Sequence, residues 1–193
     1  MSEISVTKIC NMALAAFAAE PITSIDQDCK TARVCKLFYQ QTVDRVLRQF
    51  PFSCSIQRKQ LAKSADVPLW GFAYAYPMPS NPASLKLLDV RSSVNDKPSY
   101  RLEAGSILTD EEDCYIKYVG KMMDPTGFDS LLVKAITQAL AVEIVIPITA
   151  SDSMLGTLKQ LYDEAIAEAR LAGCLEDFDE TADNTSWVDA GRD

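Results

Sequence analysis

Residues 128–147 read FDSLLVKAITQALAVEIVIP, and the fold turns on how that stretch is read. Leu131, Leu132, Val133, Ile136, Leu140, Ile144 and Val145 occupy nearly every side of a 3.6-residue helix. A helix apolar all round is enclosed by other elements, so residues 128–146 are expected to form a central, buried helix closed by Pro147. Its most apolar run, Ala139–Ile148, is interrupted by Glu143 and is shorter than a membrane span requires.

The elements around it must supply its cover. On the C-terminal side, Ser151 reads as the cap of a helix with Met154, Leu158, Leu161, Tyr162, Ala165 and Ala169 on one stripe, ending near Gly173. On the N-terminal side, Val6, Ile9, Cys10, Ala13, Leu14 and Phe17 follow helical spacing over residues 5–19, with Ser5 as N-cap and Glu20-Pro21 as the stop. A longer helix is expected from about Asp28 to Phe50. Its stripe is Cys35, Phe38, Thr42, Val46 and Gln49, widened by Val34, Leu37 and Leu47, and Pro51 stops it.

Residues 52–121 have a different grain. Short β-prone runs at Cys54–Leu61, Leu85–Val90, Tyr100–Leu102, Ile107–Thr109 and Cys114–Val119 are separated by Pro, Ser, Asn, Asp and Gly, which predicts one small antiparallel sheet. Between the first two lies an extended, aromatic-rich stretch, Val67–Pro79, carrying Trp70, Phe72, Tyr74 and Tyr76. The fold class that follows is α+β, mainly α. A four-helix core (1–51 and 125–173) carries a β-rich insertion (52–124) between its second and third helices and an extended C-terminal tail (174–193).

Composition narrows the chemistry. The 193 residues include no histidine, which removes Ser-His-Asp and Cys-His nucleophile pairs and every His-containing zinc site. The cysteines at 10, 29, 35, 54, 114 and 174 form no Cys-x-x-Cys pair and read as reduced, buried small hydrophobes. The first residues carry no basic and apolar regions of a secretory signal, so a reducing compartment is expected. Neither G-x-x-x-x-G-K-[ST] nor G-x-G-x-x-G is present, so no phosphate cradle and no nucleotide cofactor are expected. Asp110-Glu111-Glu112-Asp113 sits between two strand candidates and reads as a solvated hairpin loop; Asp177, Asp179, Glu180 and Asp183 lack the glycine and closing Glu of a calcium loop. No catalytic, cofactor or metal residue is assigned.

The formal charge of -8 is unevenly placed: residues 1–150 hold 16 acids and 16 bases, whereas residues 151–193 hold 11 acids and 3 bases. Residues 30–63 carry eight bases, Lys30, Arg33, Lys36, Arg45, Arg48, Arg58, Lys59 and Lys63, against Asp44 alone. From Cys174 to Asp193 there are seven acids and one base. Charge alone reads as a solvated basic face with an acidic solubilising tail, or as two segments that meet, within one chain or between copies, while the overall charge opposes gripping a nucleic-acid duplex as the main task. No base interrupts the aromatic stretch between Lys63 and Lys86, so its rings are expected to cover the insertion or a neighbouring subunit. Trp187, alone in a polar tail with Phe178 nearby, reads as a docking anchor, the alternative being a ring folded back onto its own chain.

Taken together, these segments resemble the head-tail adaptor proteins of short-tailed bacteriophages, the family often called tail tubular protein A or head-completion adaptor. The resemblance covers nearly the whole chain and lies in the order and spacing of its motifs. Ile9-Cys10-Asn11-Met12-Ala13-Leu14 leads to Ile22-Thr23-Ser24-Ile25-Asp26; Cys35 to Leu47 is followed by Phe50-Pro51-Phe52 and Arg58-Lys59-Gln60-Leu61-Ala62. Then come Trp70 to Pro79, Ile107-Leu108-Thr109-Asp110, Tyr118, Asp124 to Phe128, Pro147-Ile148-Thr149-Ala150-Ser151, and Ser186-Trp187 with Arg192. Three positions depart from the family pattern: Ala18-Ala19 replaces a glycine after the first helix, Phe52 replaces a Trp after Pro51, and Val188–Gly191 lengthens the gap to Arg192.

What the resemblance implies is a structural virion protein of the tail or neck, present in the host cytoplasm during assembly and not an enzyme. It would form a ring of twelve copies beneath the portal protein, extend the DNA channel and give the tail tube or nozzle protein its attachment surface. Genomic DNA would pass without sequence-specific binding, and no membrane or cofactor is involved. Candidate portal or inter-subunit residues are Trp187, Phe178, Arg192, Arg33, Lys36, Arg45 and Arg48; Trp70, Phe72, Tyr74 and Tyr76 are candidates for packing or interface. Two rival readings, an acidic DNA-mimic or regulatory binding protein and a carboxylate-pair cell-wall glycosidase, are permitted by composition.

Overall fold

The structure, a computed structural model, describes residues 4–176. Its elements run α1 (Val6–Ala15), α2 (Lys30–Gln49), β1 (Ile56–Leu61), β2 (Tyr74–Pro77), β3 (Ser84–Arg91), β4 (Tyr100–Glu103), β5 (Ser106–Thr109), β6 (Cys114–Gly120), α3 (Ser130–Thr149) and α4 (Leu155–Glu176). The fold is mixed α+β.

Helix α3 lies inside. Leu132, Ala135, Ile136, Ala139, Leu140, Ala141 and Ile144 have no exposed surface, and the cluster they belong to draws on all four helices, with Phe17, Ile22, Phe52, Val119 and Phe128 added from outside them. Asp129 caps the helix by accepting from the backbone N–H groups of Leu131 and Leu132 at 2.7 and 2.9 Å. Pro147 does not end it. Proline removes a single i→i−4 bond, to the Glu143 carbonyl, and in the last turn that loss is tolerated. The turn is held instead by Thr149 Oγ1 donating to the Val145 carbonyl at 2.7 Å, and Ala150, left-handed with φ 55°, closes it. Because α3 runs on through Pro147, its length and composition suffice to cross a membrane, contrary to the sequence estimate, yet here other elements enclose it. Ser151 does not cap α4; residues 151–154 form a turn, and α4 begins at Leu155.

Helix α1 starts as expected, with Ser5 Oγ accepting from the Lys8 N–H at 3.2 Å. It stops four residues early, because Ala18 takes the left-handed conformation (φ 55°) and the Ala19 N–H closes back to the Leu14 carbonyl at 3.1 Å. Asn11 then ties the following loop down. Its Nδ2 donates to the Ile22 carbonyl and its Oδ1 accepts from the Ile22 N–H, both at 2.8 Å, so one amide side chain imitates a backbone pair. On α2 the buried face is Ala32, Cys35, Tyr39, Thr42, Val43, Val46 and Leu47. Tyr39 and Val43 rotate it away from the expected stripe, leaving Leu37 62% exposed and Gln49 at the surface.

The β region contains two sheets, not one. Strands β1-β6-β3 form the first and β2-β5-β4 the second, all pairs antiparallel. Part of the extended aromatic stretch, Tyr74–Pro77, pairs as β2, an edge strand, where Pro77 is tolerated. Leu61, Val90, Cys114, Ile116 and Tyr118 from the first sheet meet Tyr76 and Ile107 from the second in a small core of their own. β4 and β5 are joined by Ala104-Gly105, both at positive φ (47° and 75°), a two-residue turn matching the strand twist.

Two substitutions test this account in opposite directions. Ala18→Gly relieves the left-handed strain and is expected to raise unfolding stability by about 1 kcal/mol. Asn11→Ala strands two partly buried backbone groups and is expected to cost about 2 kcal/mol. Urea titrations of both, with an unchanged m-value, provide the check; a destabilised Ala18→Gly variant is incompatible with the turn described.

Candidate functional site

Three surfaces carry the charged and aromatic residues singled out above. The first is the loop joining β1 to β2, which crosses the outer face of the second sheet. Both of its ends are fastened: the Ser64 N–H donates to the Ala75 carbonyl at 2.8 Å and the Ala73 N–H to Asp110 Oδ1 at 2.9 Å. Gly71 supplies a positive φ of 92°. Between those anchors Val67, Leu69 and Trp70 stand 68%, 98% and 85% exposed, beside a cavity of about 660 Å³ lined by Phe72, Ala75, Leu108, Arg101 and Glu103.

The four aromatic candidates therefore do different things. Tyr76 is wholly buried in the small core, donates its hydroxyl to the Glu111 carbonyl at 2.9 Å, and has its ionisation pushed up to about 12 by burial. Tyr74 is half-buried beneath Lys63, whose Nζ lies 3.7 Å from the ring centre. Phe72 is half-buried at the cavity wall. Trp70 alone of the four faces solvent.

The second surface is α2, four of whose five cations are tied within the chain. Lys36 Nζ meets Asp26 Oδ1 at 2.7 Å and Arg33 lies 3.9 Å from Asp28. Arg45 pairs with Glu143 of α3, and Arg48 donates to the Leu85 carbonyl at 2.8 Å. Arg33 and Lys36 are solvent-exposed pairs of small energetic value, and their charges remain exchangeable.

A third surface was missed by sequence reasoning. Along β6 the side chains alternate: Cys114, Ile116 and Tyr118 point to the small core, Tyr115 and Lys117 to the other face. Lys117 stands opposite Arg58 of β1 and Asp89 of β3, and Tyr115 opposite Gln60 and Arg91. Together with Lys59, Leu88 and Ile116 they line a groove of about 930 Å³. Arg91 is held by Asp89 at 2.8 Å, which raises its already high ionisation. Arg58, Lys59 and Lys117 have no ion-pair partner among the described residues. The signal was present as period-2 alternation, but Arg58, Arg91 and Lys117 are gathered by strand pairing and not by proximity along the chain.

The acidic stretch Asp110–Asp113 is not a hairpin, because β5 and β6 belong to different sheets. It stitches the crossover. Glu111 accepts from Ser92 Oγ at 3.2 Å and Asn95 Nδ2 at 3.3 Å, and Asp113 from the Ser93 N–H at 3.0 Å, which holds that carboxyl below its usual range. Among the described residues no group of three acid or cysteine side chains is placed to hold a metal ion. The five cysteines whose side chains are described are free; Cys10, Cys35 and Cys114 are buried, and Cys29 caps α2 through its sulfur. Phe178, Trp187 and Arg192 lie outside the described residues.

No protein-family model matches the chain, and no curated protein matches it.

Burial, with the nearby Asp113 charge, pushes the Cys114 thiol from 9.0 up to about 11. A folded-state value above the unfolded one stabilises fully below the unfolded value, and that contribution is lost as pH rises through the folded one. Between pH 9 and 11 the native chain is therefore expected to lose about 1 kcal/mol more stability than Cys114→Ala, the full linkage being reduced by solvent screening. Parallel melting curves across that range provide the measurement; identical slopes for the two proteins count against the placement of Cys114.

Proposed function

We propose that the chain is a head-tail adaptor: a structural virion protein that binds the portal as a ring of twelve, extends the DNA channel and presents an attachment surface to the tail. The observation that carries this reading is the exposed apolar loop at Val67–Trp70, fastened at both ends and left uncovered. Burying a single Leu side chain is worth roughly 1.5–3 kcal/mol, so a run of such residues held in water points to a protein partner. The order and spacing of the sequence motifs point the same way. So does the chemistry of the two sheets, one apolar on its outer side and the other basic, since a head-to-tail ring joins unlike faces of identical subunits.

In this arrangement the helices of 1–51 and 125–173 form a four-helix core, the sheets of 52–124 are an insertion, and 174–193 docks on the portal through Phe178, Trp187 and Arg192. Arg33 and Lys36 exchange their exposed intrachain carboxylates for those of a neighbour, so raising ionic strength weakens assembly.

The test is to mix the purified chain with the portal of its own phage and image the product. Stacked twelvefold rings are expected for the native chain. A Leu69→Ser/Trp70→Ala variant with an unchanged circular dichroism spectrum is expected to need at least about tenfold more protein to form them. Absence of rings with the native chain defeats the adaptor reading, and an unaffected variant removes the loop from the interface.

A further inference from the structure

We infer that, in the unassembled chain, residues 177–193 lie in the basic groove on the first sheet of the same molecule. The groove is rimmed by Arg58, Lys59, Arg91 and Lys117, and its one acid, Asp89, is already engaged by Arg91. Three cations thus face solvent with no ion-pair partner among the described residues. Its lining is mixed: half-buried Leu88 and the 39%-exposed Tyr115 give apolar surface among the charges. An occupant that matches must combine carboxylates with a few large apolar side chains. Residues 177–193 do so, with Asp177, Asp179, Glu180, Asp183, Asp189 and Asp193 against Arg192, and Phe178, Trp187 and Val188 interspersed.

The tether favours the same molecule. Helix α4 is described as far as Glu176, and its Gly173 sits against the Phe50 ring, close enough that a Cβ there would lie 3.0 Å from it. Phe50 leads through Phe52 into β1, which carries Arg58, Lys59 and Gln60 along the groove. Seventeen extended residues reach about 55–60 Å, whereas β1 from Ile56 to Gln60 rises only about 13 Å. A segment tethered at that distance has an effective concentration on the order of millimolar, well above any other copy in a dilute solution. A nucleic acid would also meet the cations, but it must displace a tethered acidic competitor from a chain of charge -8. The contact does not depend on the adaptor reading, since it concerns the free chain.

The experiment uses the full chain at micromolar concentration, an equal mixture of unlabelled and nitrogen-15-labelled protein, treated with a carbodiimide that joins lysine amines to contacting carboxylates. Cross-links from Lys59 and Lys117 to acids of 177–193, between peptides of one isotope only, are expected. Their yield should fall roughly fivefold in about 0.5 M sodium chloride and in an Arg58→Glu/Arg91→Glu variant that retains both lysines. Mixed-isotope cross-links assign the groove to another copy and overturn the proposal. Cross-links spread equally over Lys30, Lys97 and Lys159 overturn it too, as does their absence. An added oligonucleotide that shields Lys59 and Lys117 from an amine reagent, with no cross-link to 177–193 in its absence, assigns the groove to nucleic acid and does the same.

Discussion

The pleat of β6 ties the molecule together. As the middle strand of the first sheet it sends Cys114, Ile116 and Tyr118 into the small core between the sheets, while Val119 on the opposite face joins the cluster built on the helices. Its last residue, Gly120, is closely neighboured: a Cβ there would lie 3.1 Å from Gln57 and 3.2 Å from Pro82. Lys121 then reaches Asp44 of α2 at 3.0 Å as the chain turns toward α3. A slip of one residue in this register would put Lys117 in the small core and Ile116 in water, so the two cores and the basic groove share a single constraint. Surface chemistry here is therefore a by-product of core register. The face that carries Val119 beneath the helices carries Lys117 and Tyr115 beyond their cover.

That dependence explains which features could be read in advance. The apolar run of α3 and the heptad-like spacing of α1 announce themselves locally, because their side chains repeat within one turn of each other. Breakers were less reliable. Pro147 lies in a last turn that has other hydrogen bonds to use, and Ala18 adopts a conformation that glycine would have signalled. The division into two sheets was hidden, since five short strands and an extended run can pair in several ways, and the choice is made by long-range packing around Tyr76, Ile107 and Tyr118. The basic groove was hidden for the same reason. Its rim is assembled from three strands, and only one of them belongs to the cation-rich stretch 30–63.

The charge of that stretch also changes meaning once partners are known. Arg45 is committed to Glu143, which is only partly exposed, and Arg48 to a backbone carbonyl of β3, so these two hold α2 against its neighbours. Asp44, the segment's sole acid, is shared between Lys121 and Gln40. Arg33 and Lys36 stay near the surface beside Asp28 and Asp26, where pairing contributes little and a better-placed carboxylate can replace it. Formal charge by segment thus overstates the field on α2 and understates it on the sheet.

The apolar loop poses the complementary problem, for Leu69 and Trp70 remain in water although a cavity of about 660 Å³ lies beside them. Collapse into that space is opposed at both ends. The Ser64 and Ala73 N–H groups are bonded across the sheet, Pro68 fixes one φ, and Gly71 holds a φ of 92° that directs the chain outward. Folding inward would break those bonds in exchange for burial of two or three side chains beside Arg101 and Glu103, whose charges would lose solvent in the process. The loop is accordingly held in an exposed course at both ends. A partner that covers it does not have to order it first, which is the condition under which a small apolar anchor contributes most to association.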